Sequence, residues 1–123
     1  MSQRTVLVMA KDRFVAVLLG GLVELSGRSA AFTKDDEPAD LAVLRMRPDL
    51  VLFDCALGMS ACTRIAAVAR LEALPVLMFS AAHTDREAHD IAGLYGAPVF
   101  VLPIKPREFL GLIDRTLAVT TPN

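Results

Sequence analysis

The sequence predicts an α/β domain, with a doubly wound parallel sheet of five strands in the order 2-1-3-4-5 and five helices. Two observations predict this fold class. Apolar runs without polar alternation, such as Leu50–Phe53, are typical of strands that are buried on both faces of a parallel sheet. These runs alternate with longer segments of helical pattern, and such alternation with short loops indicates βαβ units.

The composition indicates one globular domain over residues 1–123, with a core at about 5–119 and a polar tail, or the start of a linker, at 120–123. Hydrophobic residues make up 54% of the chain, and the net charge of −1 offers no basic surface for nucleic acid or membranes. Cys55 and Cys62 lack CxxC spacing, which favours a reduced, cytoplasmic chain without zinc. The first residues lack an apolar signal core, and no apolar stretch is long enough to span a bilayer.

Each element follows from a local signal. The predicted strands are Thr5–Ala10, Arg28–Thr33, Leu50–Phe53, Leu74–Phe79 and Pro98–Leu102. The predicted helices are Phe14–Leu25, a second from Asp35 to about Met46, Ala61–Ala73, Thr84–Tyr95 and Arg107–Val119. Asp12 is expected to cap the first helix and Gly27 to end it, and Ser60 is expected to cap the third.

Three polar residues follow the last three predicted strands. Asp54 comes after strand three, Ser80 after strand four, and Lys105 after strand five. The carboxyl ends of the strands lie at one edge of such a sheet, so these side chains are expected to converge there. A carboxylate can attack a phosphoryl group, and a lysine can neutralise the phosphoryl oxygens while a hydroxyl donates a hydrogen bond to them.

The chain from Thr5 to Val119 resembles the receiver domain of bacterial response regulators. The resemblance rests on three motifs in order: Val51-Leu52-Phe53-Asp54, Pro75-Val76-Leu77-Met78-Phe79-Ser80-Ala81 and Lys105-Pro106. It implies a flavodoxin-like receiver fold with Asp54 as phosphoacceptor, Ser80 as switch hydroxyl and Lys105 as the conserved lysine. It also implies a cis peptide bond before Pro106 and an aromatic switch position at Phe100 or Leu102.

The sequence departs from this family after strand one. The family has two adjacent acids there, which bind Mg²⁺ together with the phosphoacceptor, whereas this chain has Ala10 and Lys11. Asp12 falls one residue late, so Asp12 and Asp54 are only weak candidates for a metal site and Mg²⁺ binding is expected to be impaired. Mg²⁺ contributes several kcal/mol to phosphoryl transfer, and losing roughly 4 kcal/mol slows a reaction about a thousandfold.

The missing acids suggest a specific alternative at Asp54. The Lys11 ammonium is expected to lie against the Asp54 carboxylate where a metal would be. At ~4 Å and an effective dielectric constant of ~20, that attraction is about 4 kcal/mol before desolvation is subtracted. The structural alternative is that Asp54 only caps the following helix and that Lys11 is an ordinary surface charge.

Three functions compete. The first is a degenerate receiver that signals through protein contacts, with a histidine kinase, a phosphotransfer protein or a downstream output protein as partner. The second is a competent phosphoacceptor that a histidine kinase phosphorylates on Asp54. The third is an enzyme or flavin protein on the same fold, which we do not expect because no GxGxxG, GxxxxGK[ST] or hydroxyl-rich phosphate loop follows strand one.

The first predicted helix has more apolar residues than one buried face requires. An amphipathic helix on a sheet needs an apolar stripe of ~100° or slightly more, and apolar residues cover well over half of Phe14–Leu25. Either other elements cover this helix completely, or it has an exposed face for dimerisation or a partner. Gly20 and Gly21 in mid-helix fit a place where another helix packs closely. A homodimer would use this helix or the face formed by helix four, strand five and helix five.

Overall fold

A computed structural model describes residues 4–80 and 98–120, together with positions 90, 93 and 96. Its strands are β1 Thr5–Met9, β2 Ser29–Phe32, β3 Leu50–Asp54, β4 Val76–Ser80 and β5 Val99–Val101. Its helices are α1 Arg13–Leu25, α2 Ala39–Met46, α3 Met59–Leu71 and the C-terminal α4 Pro106–Thr120, with a 3-10 turn at Cys55–Leu57. The α4 helix corresponds to the fifth helix of the sequence prediction. The predicted helix Thr84–Tyr95 lies outside the continuously described residues.

The five strands form one sheet in the order β2-β1-β3-β4-β5, and every neighbouring pair is parallel. The predicted fold class and strand order are therefore confirmed. All residues of the central strand β3 are buried, which explains its continuous apolar run. The parallel arrangement brings the carboxyl ends of β1, β3 and β4 to the same edge, where the polar residues of the sequence lie.

The core lies on both faces of the sheet. On one face, α2 and α3 pack through Ala42, Val43, Cys62 and Ile65. On the other face, α1 and α4 pack through Leu19, Val23, Phe109, Ile113 and Leu117. The α4 contacts recur every four residues, as expected for one face of a helix. Because helices cover both faces of the sheet, a functional site is expected at the carboxyl ends of the strands.

The start of α3 differs from the prediction. Gly58 is the N-cap residue, with a φ of 100° that favours glycine, and no side chain caps the helix. Ser60 lies within the first turn of α3, and its hydroxyl accepts a hydrogen bond from Arg64 at 2.7 Å. The expected Ser60 cap was therefore wrong, because the turn after β3 is short and α3 begins at Met59.

An ion pair holds the loop between β2 and α2. Both Glu37 carboxylate oxygens accept hydrogen bonds from Arg45, at 2.6 and 2.8 Å, and one of them also accepts from the backbone N–H of Lys34. The Arg45 hydrogen bonds, followed by the one from Lys34, lower the pKa of Glu37 from 4.5 to about 2. The loop is thus tied to α2 by an ionised carboxylate.

Because the pKa of Glu37 is lower in the folded state, its contribution to stability is present above pH 4.5. It is lost as the pH falls from 4.5 towards 2. Glu37→Gln should therefore be less stable than the wild type at pH 7, and the difference should shrink below pH 4.5. Urea unfolding at several pH values measures this. Glu72→Gln, an exposed glutamate at the end of α3, is the control and should show no such trend.

The two adjacent glycines of α1 have different surroundings. A Cβ atom at Gly20 would lie 2.5 Å from the Phe32 ring, so this glycine allows β2 to pack against the helix. A Cβ atom at Gly21 would meet no atom within 4 Å, and this residue faces outward. Within the described chain, no helix packs against either glycine: Gly20 lies against the Phe32 ring of β2, and Gly21 is open.

Alanine substitution of each glycine tests whether the two positions differ in packing. Gly21→Ala should raise the unfolding free energy by about 0.5–1 kcal/mol in dilute solution, because alanine restricts the unfolded chain and meets no steric conflict. Gly20→Ala restricts the unfolded chain in the same way, but the new methyl group must displace the Phe32 ring. The Gly20→Ala protein should therefore be less stable than the Gly21→Ala protein. Thermal unfolding compares the two proteins. Equal gains from both substitutions would contradict the packing of Phe32 on Gly20.

Candidate functional site

The carboxyl edge of the sheet brings two buried polar residues close together. Asp54 ends β3 and is 6% exposed, and Ser80 ends the neighbouring strand β4 and is 2% exposed. Met9 pairs with Phe53, so Ala10 lies level with Asp54 on the other side. Asp54 and Ser80 therefore lie at neighbouring strand ends, as the sequence predicted for these two residues.

The Asp54 carboxylate is held by backbone N–H groups from two turns. Its Oδ1 accepts a hydrogen bond from the N–H of Ala56 at 2.9 Å, which makes it the N-cap of the 3-10 turn. Its Oδ2 accepts from the N–H of Lys11 at 3.1 Å, across the gap between β3 and the end of β1. The Sγ of Cys62 approaches the Asp54 carbonyl oxygen at 3.5 Å. The carboxylate therefore ties together the segments that follow β1 and β3.

Lys11 contacts Asp54 differently from the prediction. The side chain of Lys11 is exposed, and no ion pair joins Lys11 to Asp54 within residues 4–80 and 98–120. The expected ammonium–carboxylate pair was therefore wrong. An ammonium keeps its hydration when it points outward, whereas burial against Asp54 would carry a desolvation penalty. The backbone N–H of Lys11 provides the contact instead.

The side chains at this edge offer few ligands for a magnesium ion. Asp12 is the N-cap of α1, and its Oδ1 accepts a hydrogen bond from the N–H of Phe14 at 2.8 Å. Ala10 has no side-chain oxygen, and one oxygen of Asp54 already accepts from Lys11. The described residues contain no group of three or more His, Cys, Asp and Glu side chains that could hold a metal. Mg²⁺ is usually bound through one or two protein carboxylates and several waters, and the acidic pair that would accompany Asp54 is replaced here by Ala10 and Lys11.

A cleft of about 400 Å³ beside this edge has a cationic lining. Lys11, Arg13 and Lys34 contribute positive charge to it, and Asp35 contributes a negative charge that lies 3.7 Å from Arg13. The position next to Asp54, occupied by Ala10 and Lys11, is therefore bordered by more positive than negative side chains. This charge opposes the entry of a divalent cation.

Lys105 lies in the segment between β5 and α4. Lys105 is exposed just before α4, and its carbonyl oxygen accepts a hydrogen bond from the N–H of Phe109 at 3.0 Å. No hydrogen bond or ion pair of its ammonium is found within the described ranges. The positions directly after β5 are taken by apolar side chains, with Leu102 and Ile104 packed against the core. The assignment of Lys105 as a phosphate-neutralising lysine stays a prediction.

The cis peptide bond lies at a different proline from the expected one. It joins Leu102 and Pro103, and Pro106 is instead the first residue of α4. The cis-bond prediction for Pro106 was therefore wrong. The fixed φ of proline suits the first position of a helix, where its missing N–H is not needed.

Phe100 is the better placed of the two candidates for the aromatic switch position. It is buried and stacks on Phe79 with a centroid distance of 5.8 Å, and its edge meets Phe109 of α4 at 5.6 Å. Leu102, the other candidate, is only partly buried. The three rings connect β4, β5 and α4. A switching role for Phe100 stays a prediction.

The backbone donors are the functional atoms that sequence reasoning missed. The N–H groups of Lys11 and Ala56 define the environment of Asp54, yet neither depends on a particular side chain. A signal was nevertheless present for Ala56, because Asp commonly accepts a hydrogen bond from the N–H two residues later. No comparable signal identifies Lys11, which is far from Asp54 in sequence.

Replacing the carboxylate should reveal how much it stabilises the edge. Asp54→Asn keeps one acceptor but turns an NH₂ group towards the other N–H donor. The protein should lose about 1–3 kcal/mol of unfolding free energy, the usual range for hydrogen bonds to a charged group. Urea unfolding measures this. The control is Asp12→Asn, which should change little because asparagine caps helices about as well as aspartate. An Asp54→Asn variant as stable as the wild type would contradict this structural role.

Comparisons with solved structures identify the fold. NtrX from Brucella abortus, crystallised in complex with ADP, matches with a TM-score of 0.80 and 21% identity, over 97% of this chain and 27% of NtrX. A response regulator receiver protein from Burkholderia phymatum matches with a TM-score of 0.79 and 23% identity, over 98% of this chain and all (100%) of that one. A putative pilus assembly-related protein from Burkholderia pseudomallei matches with a TM-score of 0.77 and 21% identity, over 98% and 93%.

These similarities establish that the chain has the CheY-like receiver fold. The chain spans only 27% of NtrX, which is the longer protein. No protein-family model and no curated protein matches the sequence. Within the described part of the chain, every helix is too short or too polar to cross a membrane.

Proposed function

We propose that this chain is a receiver-like signalling domain that works through protein contacts while Asp54 stays unphosphorylated. One observation carries the proposal. Each oxygen of the Asp54 carboxylate already accepts a backbone hydrogen bond, and the neighbouring positions Ala10 and Lys11 provide no second carboxylate. Asp54 has become a structural residue at a position where relatives of the fold carry out phosphoryl transfer.

The energetics of phosphoryl transfer support this proposal. Attack by a carboxylate requires positive charge to neutralise the transferring group, and Mg²⁺ supplies several kcal/mol of that stabilisation. The side chains at the edge do not form a magnesium site, and Lys105 is turned towards solvent at the start of α4. Loss of roughly 4 kcal/mol alone would slow the transfer about a thousandfold. Phosphorylation of Asp54 would also change at least one of the two carboxylate oxygens that accept the Lys11 and Ala56 hydrogen bonds.

The partner in this proposal is another signalling protein: a histidine kinase, a phosphotransfer protein or a downstream output protein. Structural neighbours of the same fold are response regulators, which supports a place in two-component signalling in the cytoplasm. The domain itself acts by binding and not as an enzyme. A competent phosphoacceptor is the second candidate, favoured by the adjacent positions of Asp54 and Ser80 at the ends of β3 and β4.

Restoring the acidic pair tests the proposal. The wild type and Ala10→Asp/Lys11→Asp are incubated with acetyl phosphate and Mg²⁺, and intact mass spectrometry measures phosphoryl incorporation. We expect the double variant to be labelled at least about tenfold faster than the wild type, because the new carboxylates provide metal ligands. Labelling should disappear when Asp54→Asn is added to the double variant.

Two results would contradict the proposal. Wild-type labelling on Asp54 as fast as that of the double variant would show a competent phosphoacceptor. A saturable, Mg²⁺-dependent reaction of the wild type with a histidine kinase would show the same. Circular dichroism of each variant verifies that the compared proteins are folded.

A further inference from the structure

The outer face of α1 is apolar and uncovered. Phe14, Val17, Leu18 and Leu25 are 77%, 62%, 53% and 81% exposed. The buried residues of α1 lie on the opposite side of the helix, against the sheet. Large exposed apolar side chains scattered over a surface are ordinary, but four on one helix face form a contiguous patch. The sequence had left open whether other elements cover this face, and within the described chain none does so.

The spacing of the patch indicates what kind of surface it fits. Phe14, Leu18, Gly21 and Leu25 follow one another at intervals of four, three and four residues. This is the spacing of the a and d positions of a coiled coil, which meet the side chains of a second α-helix. The row has a gap at Gly21, where a Cβ would meet no atom within 4 Å. A large side chain from the opposing helix fits there.

We propose that the opposing helix is α1 of a second copy of this chain, packed antiparallel in a symmetric dimer. In an antiparallel pair, Phe14 lies opposite Leu25 of the second copy and Leu18 lies opposite Gly21 of the second copy. In the two central layers, Leu18 of each copy therefore packs against Gly21 of the other. The two outer layers are equivalent by the two-fold symmetry. A two-fold interface requires such a self-complementary patch.

The charges on α1 favour the antiparallel arrangement. Arg13 lies at the first residue of the helix and Glu24 lies near its last, and both are exposed. An antiparallel second copy brings each Arg13 towards the helix end that carries Glu24, whereas a parallel copy places like charges side by side. Arg13 is available for this contact because its pair with Asp35 is long, at 3.7 Å, and highly exposed.

The size of the patch also fits a dimer. The exposed parts of the four apolar side chains amount to about 500 Å² per copy, taking ordinary residue areas. A standard interface buries about 800 Å² per partner, a little over half of it apolar. The α1 patch alone has about as much apolar area as one partner buries in a standard interface. Surrounding polar residues need to supply only the rim.

This dimer goes beyond the proposed function and does not rest on it. The contact involves the outer surface of α1, whereas the proposed function depends on Asp54 at the carboxyl edge. Phosphorylation of Asp54 would overturn the proposed function and leave the dimer untouched. A monomeric domain would overturn the dimer and leave the assignment of Asp54 untouched.

Sedimentation equilibrium of the full chain tests the dimer. The wild type should show a monomer–dimer equilibrium, and Leu18→Glu should raise its dissociation constant at least about tenfold by placing two charges in the central layers. The matched control is Leu71→Glu, because Leu71 is 85% exposed on α3 and equally apolar. It should leave the dissociation constant unchanged within a factor of about two.

A monomeric wild type at millimolar concentration would overturn the proposal and leave the patch for a helix of a different protein. A dimer that Leu18→Glu leaves intact, or that Leu71→Glu disrupts equally, would overturn it too. Circular dichroism verifies that each variant is folded. Because position 18 is half exposed in the free chain, the substitution should not prevent folding.

Disulfide trapping tests the orientation. A mixture of Phe14→Cys and Leu25→Cys proteins should form a mixed disulfide under mild oxidation if the helices are antiparallel. Each variant alone should not crosslink, because eleven residues separate the two layers and correspond to about 16 Å along the helix. Efficient crosslinking of either variant with itself would indicate parallel helices and overturn the antiparallel dimer. The native Cys55 and Cys62 are buried and should not interfere.

Discussion

The edge of this fold depends on a single carboxylate that satisfies two backbone donors. Asp54 accepts the N–H of Ala56 within its own turn and the N–H of Lys11 from the segment after β1. Asp54 is nearly buried and its two hydrogen bonds are part-buried, so losing the carboxylate should cost about 1–3 kcal/mol in total. A residue with one acceptor oxygen cannot serve both. The geometry therefore explains why an aspartate suits this position even without phosphoryl transfer.

The same interaction changes what the edge can do. A receiver that carries acids after β1 presents the phosphoacceptor to a metal, whereas here the backbone of Lys11 lies against it. Positive side chains from Lys11, Arg13 and Lys34 border the adjacent cleft. In the proposed function, neither a metal nor a phosphoryl group binds at this edge, and the surfaces of the fold remain available to partners. On this account the domain binds partners through a surface that does not change by phosphorylation.

Much of the fold could be predicted because buried parallel strands have continuous apolar sequences, and β3 is the clearest of them. The site was less predictable. The Lys11 contact involves a backbone N–H, whose position depends on the turn and not on the side chain. Two X–Pro pairs lie three residues apart after β5, and sequence alone could not decide that Leu102–Pro103 has the cis bond. The exposed face of α1 was visible in the sequence as an excess of apolar residues, but only the structure separated the packed Gly20 from the open Gly21.

The central claim is that the Lys11 and Ala56 amides hold the Asp54 carboxylate in place through one hydrogen bond to each oxygen. The most direct measurement records these two amide resonances by NMR while beryllofluoride and Mg²⁺ are added to the folded wild-type domain. The account predicts that both amides are protected from hydrogen exchange and keep their chemical shifts throughout the titration. Saturable displacement of the Lys11 and Ala56 resonances, accompanied by a shift at Ser80, would show that Asp54 is free to bind a phosphoryl group and would contradict the account.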